Sequence, residues 1–301
     1  MLLKAPAKIN LTLRILGKRP DGYHEIESIM QAIRLFDEVE LFLGQDSGFR
    51  IQDTGRDKFK GEEPGIRLRC DAPGVPDGPA NLAYRAAEAA LAAWGGGSAA
   101  ALPAKVEINL KKRIPAAAGL GGGSADAAAA LLGLAKELRP AVALSEIAAL
   151  GAAIGADVPF CVYACAAANP GLGYAGGSAA LVTGVGEKVS PLSTPSARII
   201  LVKPPIEVST AAIYALYDKQ GREAASASPN DLEAPCAAAY PIVAETLARL
   251  KQLCGEFAKV QLSGSGPTVF AYIEGEFPAE QLFERAREAF PGMFTELTET
   301  L

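Results

Sequence analysis

The chain has 301 residues, half of them hydrophobic and 21% charged, with 29 Lys plus Arg against 34 Asp plus Glu. This is enough chain for one large domain or two ordinary ones, each able to bury its own core. A formal charge of −5 argues against a protein that gains affinity by neutralising nucleic-acid phosphates, while a small positive pocket remains compatible with it.

The five cysteines (Cys70, Cys161, Cys165, Cys236, Cys254) are scattered and form no C-x-x-C pair. With no secretory or transit pattern at the start, the sequence predicts a reduced, cytoplasmic setting. The longest apolar run, inside 125–135, is alanine-rich and interrupted by Gly133, so no membrane span is predicted. His24 is the single histidine, which leaves little material for a zinc site.

In chain order, MLLKAPAKINLTLR (1–14) alternates apolar and polar residues after Pro6 and predicts a strand. EVELFL (38–43), FRIQ (49–52) and IRLRC (66–70) read the same way. Between them, DGYHEI (21–26) carries a D-G turn followed by Tyr23 and His24. Asn81 suits the N-cap of a helix over LAYRAAEAALAAW that stops at Gly95-Gly96-Gly97. KVEINLKKR (105–113) is a predicted strand that feeds IPAAAGLGGGSADAAAALLGLA (114–135), where four glycines fall within five positions. Ser124 is expected to cap a helix ending before Pro140, and Ser145 another ending at Gly155. Residues 164–178, ACAAANPGLGYAGGS, are small and aperiodic and are expected to form a loop insertion.

After about residue 195 the pattern changes. RIILVK (198–203) predicts a strand, STAAIYALYD (209–218) and PIVAETLARLKQL (241–253) helices, and KVQLS (259–263) and PTVFAYI (267–273) strands around a glycine turn. A helix over 278–290 and a strand near 293–298 complete a strand-helix-strand-strand-helix-strand order, the split βαβ of ferredoxin-like domains. The expected architecture is two α+β domains, 1–193 and 194–301.

The glycine loop has no Walker lysine, and it lacks the third glycine of a dinucleotide fingerprint. Phosphate binding here would rest on backbone N–H groups and the dipole of the following helix, though such a loop also serves as a tight turn. LSGSGPTVF (262–270) alone reads as a hairpin turn. PAKINL (6–11) places Lys8 and Asn10 on one face of a strand, as an exposed edge lysine would also sit. GADVPF (155–160) puts Asp157 just past a helix end, where turn aspartates are common.

Taken together and in this order, PAKIN, DGYH, GLGGGSAD, GADVPF, GVGE (184–187), NDLE (230–233) and GSGPTVF resemble the GHMP kinase superfamily. The resemblance runs from residue 4 to about 273, and DGYHEIESIMQAI after PAKINLTLRILGKR is similar to its cytidyl-substrate branch. It implies an N-terminal domain of the ribosomal protein S5 domain 2-like fold and a ferredoxin-like C-terminal domain. It implies ATP with Mg²⁺, and a CDP-linked methylerythritol as phosphoryl acceptor.

By the same resemblance the ATP phosphates would lie on Pro115, Ala116, Ala117, Ala118, Gly119 and Leu120, then on Gly121, Gly122, Gly123, Ser124 and Ala125. Asn81, Leu82 and Lys112 would line the adenine side. Lys8 and Asp157 would act at the acceptor hydroxyl, the aspartate taking its proton and the lysine stabilising the developing alkoxide. Asn10 and Thr210 would contact the acceptor, and Tyr23, His24 and Tyr214 its base. The family often has two serines where this chain has Ser124-Ala125, so one hydroxyl is missing and the protein ligands of the metal stay open, with Ser124 a candidate.

Two other readings stay open from sequence alone. One is a GHMP kinase for mevalonate, homoserine or a sugar, which would have no base to stack. The other is a non-catalytic nucleotide-binding protein on this fold. No nucleic-acid or membrane partner is expected, and the oligomeric state is open between monomer and homodimer.

Overall fold

The computed structural model describes residues 1–44, 65–95, 105–220, 228–275 and 278–301. The strand expected over 49–52 and the end of the Gly95-Gly96-Gly97 stop lie outside them. The chain forms two compact units, one of residues 1–5, 37–112 and 123–176, the other of 6–36, 113–122 and 177–301.

In the first unit the second half of β3 (His24–Gly44) pairs antiparallel with β5 (Lys105–Lys111), from Glu38 opposite Lys111 to Gly44 opposite Lys105. β4 (Gly65–Cys70) runs parallel to β5. Four helices accompany these strands: α1 (Leu82–Trp94), α2 (Gly122–Leu138), α3 (Leu144–Ala152) and α4 (Val158–Ala168). α2 is buried over 125–135, and its small side chains let it approach the strands closely. At Gly133 a Cβ would lie 2.3 Å from Leu41 Cδ1 and 3.0 Å from Leu3 Cδ1, so a side chain there would force these leucines to repack.

Three expectations are corrected here. α2 begins at Gly122, so Ser124 stands inside its first turn and does not cap it. α3 begins at Leu144 after Ala143, whose N–H donates to Glu146 Oε1 at 3.4 Å, so Ser145 is inside the helix. α4 continues to Ala168, through the start of the expected loop insertion, followed by a 3₁₀ turn at Pro170–Leu172. Ala164, Cys165 and Ala166 are buried, and a helix enclosed on all sides shows no amphipathic period.

In the second unit, the first half of β3 pairs antiparallel with β2 (Arg14–Lys18) and with β6 (Ala179–Gly184). β7 (Lys188–Leu192) returns beside β6. β1 (Leu2–Asn10) contributes its residues from Pro6 onward.

The same unit contains an antiparallel sheet in the order β11 (Phe294–Glu299), β8 (Ala197–Lys203), β10 (Val269–Glu274), β9 (Lys259–Leu262). Helices α5 (Thr210–Gln220), α6 (Glu233–Ala239), α7 (Pro241–Cys254) and α8 (Ala279–Ala289) join its strands. This sheet order with this connectivity is the ferredoxin-like fold, as expected. Ile200, Val202, Val269 and Ala271 pack on Leu250, Leu282 and Ala286, while Ile199, Leu201 and Phe270 pack on Ile9, Ile33 and Leu35. Burial on both faces explains the unbroken apolar run IILV (199–202). Among the described residues no helix is long and apolar enough to cross a membrane.

Candidate active site

Lys8 is on β1 and is 4% exposed; its Nζ donates to Asn10 Oδ1 at 2.8 Å. Asn10 Nδ2 donates to Ser28 Oγ at 2.8 Å, and Ser28 Oγ donates to the Thr12 carbonyl at 2.6 Å. A buried amide held at both ends cannot rotate, so it fixes where the ammonium stands. The Lys8 N–H donates to the Leu120 carbonyl at 2.9 Å, which brings the glycine loop against the lysine. A Cβ on Gly121, at φ +70°, would lie 2.9 Å from Lys8 Cγ.

The second glycine turn meets the same residues. Gly264 has φ +56°, and a Cβ there would be 3.1 Å from Asn10 Oδ1 and 3.6 Å from Lys8 Nζ. At Gly119 a Cβ would come within 2.5 Å of the Ser263 carbonyl oxygen. Asn230 of NDLE secures this turn by donating to the Leu262 and Gly264 carbonyls, at 2.9 and 2.8 Å. In sequence these were two separate turns; the fold sets both beside one buried lysine. Thr210 Oγ1 is 2.9 Å from Ser265 Oγ in that turn, which ties α5 to it.

Tyr23, 66% exposed, follows a turn in which Asp21 Oδ1 accepts from the Tyr23 N–H at 3.1 Å. His24 opens β3, and its ring centroid is 4.8 Å from that of Tyr214 at an interplanar angle of 32°. Thr210, Tyr214, Tyr217 and Asp218 share one face of α5 by helical spacing. His24 Nε2 is 2.7 Å from Asp218 Oδ1. Ser28 and Asp218 were not foreseen from sequence; the spacing of Asp218 four residues after Tyr214 was the available signal for the latter.

Pro115, Ala116, Ala117 and Ala118 lead into the loop, with Ala117 at φ +48°. The loop residues through Gly122 belong to the second unit, and Gly123, Ser124 and Ala125 to the first. In the first unit Asn81 Oδ1 accepts from the Ala83 N–H at 2.8 Å and so caps α1, as expected. A Cβ on Gly123 would be 3.7 Å from Leu82 Cδ1, so Leu82 lies beside the start of α2. Asp157 precedes α4 with its side chain not capping that helix, half-buried.

Lys112 is buried between two carboxylates, with Nζ 2.5 Å from Asp37 Oδ2 and 2.5 Å from Asp126 Oδ2. Burial works against its ammonium, but Asp126 and Asp37 outweigh it and hold the Lys112 pKa above the ordinary lysine value. Burial pushes the Asp126 carboxyl up to about 7 despite Lys112, with Asp37 adding to the rise. Asp37 was missed from sequence, where it stands one residue before the predicted strand EVELFL.

Asp126 therefore binds its proton more tightly in the folded chain than in the unfolded one, where a carboxylate titrates near about 4. Its contribution to stability is complete below the unfolded value and is lost as pH rises toward about 7. Asp126→Asn removes this titration while keeping the shape. Thermal melts between pH 4 and pH 8 should show the wild type losing stability relative to the variant as pH rises. A wild-type-minus-variant difference independent of pH would contradict the assignment.

The family description "GHMP kinases N terminal domain" matches residues 81–165, and "GHMP kinases C terminal" matches residues 212–292. The chain is 38% identical over 307 aligned residues to the 4-diphosphocytidyl-2-C-methyl-D-erythritol kinase of Geobacter sulfurreducens, covering 96% of each. To the protein of that name from Bacillus pumilus it is 38% identical, covering 95% of this chain and 93% of the relative. A solved 4-(cytidine 5'-diphospho)-2C-methyl-D-erythritol kinase superposes with a TM-score of 0.70 at 30% identity, covering 99% of each chain. The homoserine kinase of Cytophaga hutchinsonii shares the fold, with a TM-score of 0.64 at 18% identity.

Proposed function

The chain belongs to the 4-diphosphocytidyl-2-C-methyl-D-erythritol kinases, a branch of the GHMP kinases, and from that membership we propose the reaction and the residues that carry it out. ATP phosphorylates the 2-hydroxyl of 4-diphosphocytidyl-2-C-methyl-D-erythritol, giving the 2-phosphate and ADP in isoprenoid biosynthesis by the methylerythritol phosphate route. Beyond family membership, the observation that carries the substrate is the ring pair of His24 and Tyr214 next to the exposed Tyr23. Mevalonate and homoserine have no base for such rings to hold.

Phosphoryl transfer asks the protein to position two reactants and to neutralise charge. The N–H groups of the glycine loop and of the first turn of α2 would receive the ATP phosphates. Asp157 would accept the proton of the attacking hydroxyl, and Lys8, fixed by Asn10, would stabilise the oxygen as it becomes an alkoxide. Magnesium, bound together with ATP, would neutralise phosphate charge. Such an ion keeps phosphate and water oxygens as most of its ligands, so the hard hydroxyl of Ser124 fits as the residue that would hold it. Among the described residues no group of three or more His, Cys, Asp or Glu side chains could hold a metal by itself. Asn81, Leu82 and Lys112 would line the adenine side, with Asp37 and Asp126 fixing the lysine.

We also take 1–193 and 194–301 as the two domains, since each holds one of the matched family regions. The setting is cytoplasmic, and the partners are small molecules.

Tyr23→Ala and Tyr214→Ala should each weaken acceptor binding by about 1–3 kcal/mol, with ATP affinity nearly unaltered. Isothermal titration with each ligand separates the two effects, and unchanged acceptor affinity in both variants would remove the base-stacking role. The function itself is tested by coupled measurement of ADP release over a panel of acceptors. Turnover with the CDP-linked methylerythritol is expected. Turnover confined to mevalonate, homoserine or a sugar would refute the reading, as would no ADP release with any acceptor.

A further inference from the structure

The following rests on the reading of His24 as a base-contacting residue. Three contacts fix its imidazole within the second unit. Its face lies against Tyr214, Tyr217 meets it edge-on with centroids 6.5 Å apart and planes at 86°, and Nε2 is 2.7 Å from Asp218 Oδ1. The histidine side chain is 9% exposed and the Asp218 side chain 29%. The other carboxylate oxygen, Asp218 Oδ2, is 2.5 Å from Lys18 Nζ on β2. Hydrogen bonds from Lys18 and then from His24 hold the Asp218 carboxyl below the usual carboxylate range, so it is ionised at neutral pH.

An ionised carboxylate only accepts hydrogen bonds, so the ring proton facing it is on Nε2. In the neutral imidazole Nδ1 is then an acceptor with a lone pair and no hydrogen. Turning the ring over to exchange the nitrogens would give up the carboxylate contact. The unused edge of the ring is therefore chemically one-sided.

We propose that Asp218 is a positioning residue that sets the His24 tautomer, so that Nδ1 accepts from an exocyclic amine and the acceptor site selects a cytosine-type base over a uracil-type base. Cytosine presents an amine at its 4-position and donates to such a nitrogen. Uracil presents a carbonyl oxygen there, and two acceptors facing each other are repelled. Discrimination of this kind is large because the mismatched pair leaves both groups unsatisfied.

Asp218→Asn tests it. An asparagine side chain can turn its amide nitrogen toward Nε2, which then accepts, moving the ring proton to Nδ1 and permitting uracil. The ratio of kcat/KM for the CDP-linked acceptor to that for its UDP-linked analogue should fall by about tenfold or more, with KM for ATP unchanged. An unchanged ratio overturns the proposal. Because His24 is the single histidine, a long-range ¹H–¹⁵N spectrum of ¹⁵N-histidine-labelled protein reports its tautomer without ambiguity. The wild type should show the Nε2–H form and the variant a loss of it; a wild-type Nδ1–H form overturns the proposal with no variant needed. A wild type that turns over neither acceptor refutes the proposed function and takes this inference with it. Retained cytidine preference in Asp218→Asn defeats the inference alone.

Discussion

Replacing Asp157 with asparagine is expected to lower turnover by about 10²–10⁴, the range for loss of a general base, with little change in ATP affinity. The variant keeps the shape of the residue and the start of α4, which does not use this side chain as its cap. Lys8→Met should act in the same way, because it removes the cation that Asn10 holds in place. If both act on the one hydroxyl, as proposed, the double variant should lose much less than the product of the single losses. A loose transition state offers a specific alternative, in which the aspartate orients the hydroxyl without taking its proton. In that case Asp157→Asn stays within about tenfold of wild type, since asparagine still accepts a hydrogen bond. Single-turnover rates at saturating substrates distinguish the two, and near-wild-type rates in Asp157→Ala would remove the residue from the chemistry.

Gly121→Val should be comparably damaging for a different reason. The position has φ +70°, where a β-branched residue is strained, and its Cβ would stand 2.9 Å from Lys8 Cγ and 3.1 Å from Cε. Relief of that clash moves either the loop or the lysine. A displacement of about 1 Å at a reacting group is enough to cost about 10²-fold in rate, so kcat/KM should fall by at least that factor, with weakened ATP binding. Gly255→Val is the control, because φ there is +56° and no atom lies within 4 Å of the added carbon. It should lose stability through backbone strain and retain its kinetics. Equal kinetic losses in both variants would show that strain, not the loop's contact with Lys8, is responsible.

Much of the ferredoxin-like sheet was legible in the sequence because its strands are apolar runs bounded by turn residues, as in RIILVK and PTVFAYI. The first half of β3 was not. Its apolar residues Ile26, Ile29, Met30 and Ile33 follow helical spacing, while the inward position between Ile26 and Met30 is Ser28, recruited to hold Asn10. A polar residue placed for the site breaks the alternation that would announce a strand. β6 and β7 were missed because AALVTG and KVSPL are short and weakly patterned. The individual motifs were visible, but their company was not: Asp37, Asp218 and Asn230 are separated in sequence from the lysine, histidine and glycine turn they hold. Single-sequence patterns report local periodicity, and these contacts are made only by the tertiary fold.

The proposed reaction makes a phosphate ester at a carbon that carries no hydrogen, since the 2-position of the acceptor also bears the methyl group. A proton-coupled ³¹P spectrum of the product therefore tests the account most directly. It should show one new phosphomonoester signal without three-bond proton coupling, the acceptor's diphosphate intact, and ADP formed in equal amount. A monoester split into a triplet or doublet would place the phosphate on the 1- or 3-hydroxyl, and a spectrum with no new monoester would contradict the kinase assignment itself.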